Sequence, residues 1–343
     1  MISTHLAVLC SCFLIIYKSV LYKKINIKKI FLLTICVGSD KVANEMEVNM
    51  SKFISLILIA ISAITLFLYF NSLIEPEDSN KKIETTEKIV VLKNEDTTEQ
   101  MELEEYLVGV VACEMPVLYG SVALKSQAIA SRTYAVKKTN NNISLAKTTD
   151  DQCYIDDEEM KNKWKDKYSE YRQIVVDAVN DTKGIVITKD DQLLTTFYFS
   201  TSNGYTEDSM DVFNYNGVES VESSWDKNSS NYKREVVFKK EYLESILGSF
   251  KKIEIVKRNN TNHVELVKVD SKEYTGIEFR KKLNLRSTDF EITINNDEYT
   301  FTTYGYGHGV GMSQYGASYL AKQGYNYEEI LKYYYGNIEF IKI

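Results

Sequence analysis

Histidine occurs three times in this 343-residue chain, at positions 5, 263 and 308. That scarcity removes most metal and nucleophile chemistry before any motif is sought. There is no H-E-x-x-H and no close Cys/His cluster, so a zinc site has no signature in the sequence. A site built from His263, His308, Cys153 and an acid would depend wholly on the fold. His308 and Ser313 offer two parts of a hydrolytic triad, but neither a G-x-S-x-G elbow nor a specified acid accompanies them. Nucleotide loops of the G-x-G-x-x-G and G-x-x-x-x-G-K-[ST] types are absent. Cysteine is also sparse: Cys10, Cys12 and Cys36 lie near the start, which leaves Cys113 and Cys153. One disulfide is arithmetically possible, a disulfide framework is not, and Cys113, inside a helix, reads as a small core residue.

Basic charge is short as well. The first 74 residues hold seven Lys/Arg and three Asp/Glu, so 34 basic and 45 acidic residues remain from Glu75 onward. An acidic domain argues against a grip on phosphate backbone, and no nucleic-acid partner is expected.

What the chain does have begins with residues 53–70, FISLILIAISAITLFLYF, an uncharged apolar run that Leu73 and Ile74 extend. Residues 53–74 are long enough to cross a bilayer once. Lys52 on one side and Glu75, Glu77 and Asp78 on the other place the large C-terminal part outside the cytoplasm. No small-x-small cleavage site follows, which favours a retained anchor. Residues 1–52 read as a cytoplasmic leader, as poor membrane segments, or as a consequence of translation starting at Met46 or Met50, the last being favoured. Residues 75–100 form a polar linker with a strand over 88–93, and residues 101–343 the main domain.

Within that domain the patterns alternate without βαβ regularity, which predicts a mixed α+β fold. Helices are expected over 101–113, 118–138, 160–181, 239–247, 275–283 and 327–335, with another starting after Met312. Strands are expected over 185–188, 193–199, 232–238 and 263–269, with a hairpin of 290–294 and 299–303 around Asn295-Asn296-Asp297. The second helix should carry Leu118, Val122, Ile129, Thr133 and Val136 on one face.

Glu114 is the residue that asks for an explanation. It closes the stripe Leu103, Leu107, Val110 and Val111, and Pro116 ends the helix just beyond. A carboxylate there is either a paired structural charge or a proton donor whose pKa burial has raised. Lys125 and Arg132 admit two readings: basic residues whose stems cover the core, or cations that hold Glu114 or a substrate carboxylate. The run YGYGHGVGMSQYGA at 304–317 sets four glycines around His308, which suggests a shaped surface; a tight backbone crossing is the alternative. With metal and triad chemistry weak, acid–base work by one carboxylic acid is the simplest enzyme reading.

Five blocks resemble a known family: EEYLVGVVACEMP at 104–116, ALKSQAIASRTYA at 123–135, FYFSTSNGYTE at 197–207, LRSTDFEI at 285–292 and GYGHGVGMSQYGA at 305–317. They are similar to the stage II sporulation protein D family, whose members include peptidoglycan lytic transglycosylases acting during engulfment in endospore-forming bacteria. The resemblance implies that Glu114 is catalytic and that Lys125, Gln127, Arg132, Ser200, Ser202, His308, Ser313 and Gln314 line the cleft. It implies glycan strands lacking stem peptides as substrate, a sporulation amidase and a membrane protein as partners, and a place in the mother-cell membrane facing the intermembrane space. Two departures matter. Asn203-Gly204 stands where many relatives have two glycines, and residues 150–154 replace a Cys/His zinc cluster that some relatives carry. Neither metal dependence nor any cofactor is therefore carried over. A non-catalytic glycan-binding scaffold for an amidase, suited by 25 tyrosines, and a hydrolytic muramidase remain the alternatives.

Overall fold

The computed structural model describes residues 62, 65, 88–92 and 97–343, apart from residue 149. The expected leader, nearly all of the anchor over 53–74 and most of the linker lie outside the described residues. Among those described, no helix is long and apolar enough to cross a membrane. The chain divides into two units, residues 1–78 and 79–343, and the fold that follows belongs to the second.

Strands β1 (Lys88–Leu92) and β2 (Thr98–Glu102) form an antiparallel pair that leads into helix α1 (Leu103–Glu114). The α1 stripe is buried as expected: Leu107, Val110 and Val111 are fully covered and Leu103 nearly so. A single 3-10 turn, Val117–Tyr119, connects it to α2 (Ser121–Asn140). Two expectations for that helix change. It starts at Ser121, leaving Leu118 exposed in the connection, and it is buried on nearly every face. Ser126, Gln127, Ala128, Ile129, Ala130, Ser131, Arg132 and Thr133 are all inaccessible in succession. Small Ala and Ser side chains let neighbours approach from all sides, so α2 is the axle of this part and carries no amphipathic stripe.

The helix expected over 160–181 is broken into α3 (Asp157–Trp164) and α4 (Tyr168–Asp181) by Lys165, whose φ of 48° no helix allows. Asp156 and Glu159 close a capping box that starts α3 early. Strand β3 (Ile185–Lys189) follows, then β4 (Gln192–Leu193) and β5 (Tyr198–Phe199). The single strand expected over 193–199 is thus split, because its two ends join different sheets. Helix α5 (Ser209–Phe213) is short.

From β6 (Lys233–Lys239) the chain builds a second core, with α6 (Lys240–Leu247), β7 (Ile253–Arg258), β8 (Val264–Val269), β9 (Lys272–Thr275) and α7 (Gly276–Leu283). The predicted hairpin is β10 (Phe290–Asn295) and β11 (Glu298–Tyr304). Two three-stranded antiparallel sheets, β7-β8-β9 and β10-β11-β6, enclose Leu243, Val267, Phe279, Phe290 and Phe301. The chain then returns to the first core through β12 (Met312–Ser313), α8 (Gln314–Lys322), α9 (Tyr327–Tyr335) and β13 (Glu339–Lys342), which pairs with β3. The mixed α+β expectation for this domain holds.

Candidate active site

Glu114 sits at the C-terminal end of α1, where the helix dipole disfavours a negative charge. Tertiary partners, not the helix, hold it there. The backbone amide of Cys153 donates to Glu114 Oε1 at 2.7 Å. Tyr198 and Gln314 reach the same carboxyl, and the Lys163 ammonium acts on it from nearby. Lys163 donates to the carbonyls of Ala112 at 2.8 Å and Cys113 at 3.4 Å, capping the helix end beside the acid. Burial pushes the Glu114 carboxyl above its ordinary range, while the hydrogen bonds and the lysine pull the other way. The residue as a whole is half-buried, so it is walled off without being sealed.

These contacts are locked by a polar network. Gln314 Nε2 donates to Gln127 Oε1 at 3.2 Å, and Gln127 Nε2 to Ser131 Oγ at 3.0 Å. Gln152 Nε2 donates to Tyr198 OH at 3.1 Å, and Tyr106 OH to Gln152 Oε1 at 3.2 Å. Burial raises the Tyr198 phenol far above its usual value, so it stays protonated as a donor. Cys153 also pairs with Cys113 in a disulfide. That corrects the reading of Cys113 as a plain core residue: the loop after Asp151 folds back along α1 and brings the two β-carbons together. Tyr154 stacks on Tyr106 at 5.7 Å, and the absent side chain of Gly109 makes the room, since a Cβ there would lie 2.2 Å from the Tyr154 ring.

The glycine-rich run makes the backbone crossing. Strand β12 pairs in parallel with β5, Met312 opposite Tyr198 and Ser313 opposite Phe199. Gly311 has φ of 78°, and a Cβ there would lie 2.0 Å from the Phe197 carbonyl oxygen, so only glycine lets the strands meet. His308 packs among Phe197, Phe199 and Phe213. Burial there pushes its pKa down to about 4, and its Nδ1 accepts from the Val310 amide at 3.0 Å. It is a neutral wedge behind Tyr198, whose backbone it also meets.

Ser202 and Ser313 converge on a residue the sequence did not single out. Ser313 Oγ and the Ser202 amide both donate to Asp226 Oδ2 at 2.6 Å. Asp226 is fully buried, its other oxygen has no hydrogen-bond partner among the described residues, and burial pushes its pKa up to about 6. Ser313 also caps α8 through the Gly316 amide, so this cluster aims Gln314 at Glu114. Ser200 accepts the Tyr315 amide on its carbonyl at 3.1 Å.

Lys125 and Arg132 are engaged elsewhere. Lys125 pairs with Asp181 at 2.8 Å. Arg132, fully buried, holds Glu104 with Nε at 2.9 Å and Nη2 at 2.7 Å and donates to the carbonyls of Val179 and Ile185. Among the candidates, Gln314 and, through it, Gln127 join Glu114. Tyr198, Cys153 and Lys163 were missed; Tyr198 lay within a quoted block, whereas an amide and a lone exposed lysine leave no sequence signal. Among the described residues no group of three or more His, Cys, Asp or Glu side chains is placed to hold a metal ion.

The fold and site therefore define an α+β protein in which a carboxylic acid, Glu114, is held at a helix end by donors from separate segments. A family model described as "Stage II sporulation protein" matches residues 92–188, which include Glu114. The chain is 38% identical over 256 residues to stage II sporulation protein D of Bacillus subtilis (strain 168), covering 70% of this chain and 74% of that one. It is 36% identical to the protein of the same name from Bacillus amyloliquefaciens, over 71% of this chain and 75% of the other. A more distant similarity, 27% identity over 67% of this chain and 39% of the relative, is to an "Amidase enhancer" of Bacillus subtilis (strain 168). The chain belongs to the stage II sporulation protein D family and is a sporulation protein.

Proposed function

We propose that this protein is a peptidoglycan lytic transglycosylase in which Glu114 acts first as acid and then as base. The observation that carries the reading is the setting of Glu114: a carboxyl raised by burial on a half-buried residue, and met by donors that suit its ionised form. Neutral Glu114 donates its proton to the β-1,4 glycosidic oxygen between N-acetylmuramic acid and N-acetylglucosamine. The C1–O bond breaks as oxocarbenium character grows at the muramic anomeric carbon. The carboxylate so formed is stabilised by the Cys153 amide, Gln314, Tyr198 and Lys163. It then takes the proton of the same sugar's C6 hydroxyl, whose oxygen closes on C1 to give a 1,6-anhydro end. The acid is regenerated and no water is consumed, so a second catalytic carboxylate is not required. Both reacting groups belong to one sugar, which lowers the entropic cost of ring closure.

By family, the same reading places the protein on the mother-cell membrane through residues 53–74, acting on strands already stripped of stem peptides, beside an amidase and a membrane partner. The test is Glu114→Gln. With the fold retained in a melting curve, this variant should lose nearly all formation of anhydro-muramyl products from purified glycan. Equal yields from both proteins would overturn the assignment, and products bearing a water-derived reducing end would point to a muramidase instead. Glycan binding without any cleavage product would point to a scaffold, the reading that the similarity to an amidase enhancer favours.

A further inference from the structure

Chemistry at Glu114 leaves a second buried acid unused. Asp226 lies on the 3-10 turn Ser224–Asn228, wholly inaccessible, and among the described residues no Lys, Arg or His comes within ion-pair distance of it. The titratable groups that face it are three phenols: Tyr119 from the turn after α1, Tyr315 from α8 and Tyr334 from α9. None supplies a positive charge. Burial pushes its pKa up to about 6, against the pull of the Ser313 and Ser202 donors, and Oδ1 has no hydrogen-bond partner among the described residues. A carboxylate so placed costs stability once it ionises, so the fold gains nothing from its charge.

The partners of Oδ2 indicate its task. That oxygen accepts from the Ser202 amide and from Ser313 Oγ, both at 2.6 Å, and the two donors sit on the two segments that bring Tyr198 and Gln314 to Glu114. Ser202 follows Tyr198 at the end of β5, and Ser313 directly precedes Gln314. The segments pair over only two residues each, Met312 opposite Tyr198 and Ser313 opposite Phe199. So short a ladder is a weak hold on their relative position. One carboxylate oxygen ties both together, and Ser313 Oγ, which accepts from the Gly316 amide at 3.1 Å, passes the restraint into the first turn of α8.

We propose that Asp226 is a positioning residue for the Glu114 reaction, its carboxylate clamping residues 198–202 and 312–314 together so that Tyr198 and Gln314 both meet the acid. The inference rests on the acid role proposed for Glu114. Hydrogen bonds to a charged acceptor are about twice as strong as those to a neutral one, so a proton on Asp226 loosens the clamp. Ionisation of Asp226 supports turnover, whereas ionisation of Glu114 ends it. The rate profile therefore has an acid limb that belongs to Asp226.

The test is the pH dependence of anhydro-muramyl product formation from purified glycan by the full chain, with melting curves alongside. Asp226→Asn cannot ionise, so kcat should fall about tenfold, the scale separating a charged from a neutral hydrogen bond, with KM little changed because Asp226 touches no substrate. The wild-type acid limb, centred at a pH of about 6, should vanish. Stability should move the other way. The folded pKa lies above the unfolded one, so the stability this group adds at low pH is lost as pH rises through about 6. Asp226→Asn should therefore gain in melting temperature relative to wild type between pH 4 and pH 8. Ser313→Ala keeps the acid but removes a donor that lowers its pKa, so its acid limb should move to higher pH; this variant decides the matter if Asp226→Asn does not fold. An acid limb that survives Asp226→Asn, or that Ser313→Ala leaves in place, overturns the proposal, as does a lower melting temperature with the rate of the folded protein unchanged. Failure of the Glu114 reading shows separately, as equal anhydro-product yields from wild type and Glu114→Gln.

Discussion

Cys153 holds Glu114 twice over, once by the hydrogen bond from its amide to Oε1 and once by the disulfide to the adjacent Cys113. A residue 39 positions away in sequence thereby fixes the orientation of the proposed acid. Gln152 and Tyr154 anchor the same loop on either side, through Tyr106 and Tyr198.

Breaking the disulfide should therefore affect both stability and chemistry. Cys113→Ser with Cys153→Ser is expected to cost about 3–4 kcal/mol of stability, given the 40-residue separation. Denaturant titration reads that loss. Turnover of the protein that remains folded should fall as well, because the Cys153 amide is less firmly aimed.

The raised pKa of Glu114 makes a prediction whose sign can be worked out. Between its unfolded and folded pKa the native state binds more protons than the unfolded state, so stability from this group falls as pH rises through that window. Glu114→Gln removes the ionisation. The variant should match wild type in melting temperature at pH 4 and exceed it at pH 8; a difference that is constant with pH would contradict the raised value. Wild-type activity should decline on the alkaline side as the neutral acid is titrated away.

Tyr198→Phe offers a finer measurement. The phenol donates to Glu114 and lowers its pKa, so its loss should move the alkaline limb of the rate profile to higher pH. Loss of a donor to the carboxylate should also reduce kcat by roughly tenfold to a hundredfold, the scale of a hydrogen bond to a charged group. A pH–rate series on both proteins separates the two effects.

Arg132 should behave as a structural residue. Its guanidinium is inaccessible and bidentate to Glu104. Arg132→Met leaves Glu104 without its partner and is expected to destabilise the fold by about 3–5 kcal/mol. The pH dependence of the rate in the folded fraction should be unchanged. A shifted profile would instead tie Arg132 to Glu114.

Much of the domain could be read from periodicity. The α1 stripe, the 290–303 hairpin and α9 follow the spacing of large apolar side chains, and all three form close to where that spacing puts them. Helix α2 was misread because alanine and serine carry no contrast between faces, so burial on every side leaves no trace in the pattern. The split of 193–199 was invisible for a related reason: a β-prone segment does not record which sheet each of its ends will join.

The sequence by itself determined that one carboxylic acid, Glu114, ends an apolar helix face in a domain nearly free of histidine. It determined the family too, through blocks that keep their order along the chain. Only the tertiary structure decided the state of that acid. Its pKa depends on desolvation, on donors from Cys153, Gln314 and Tyr198, and on the nearby charge of Lys163, all on separate segments of the chain. Electrostatic and hydrogen-bond energies act over a few ångströms in space. No spacing along the chain encodes them until the chain has folded.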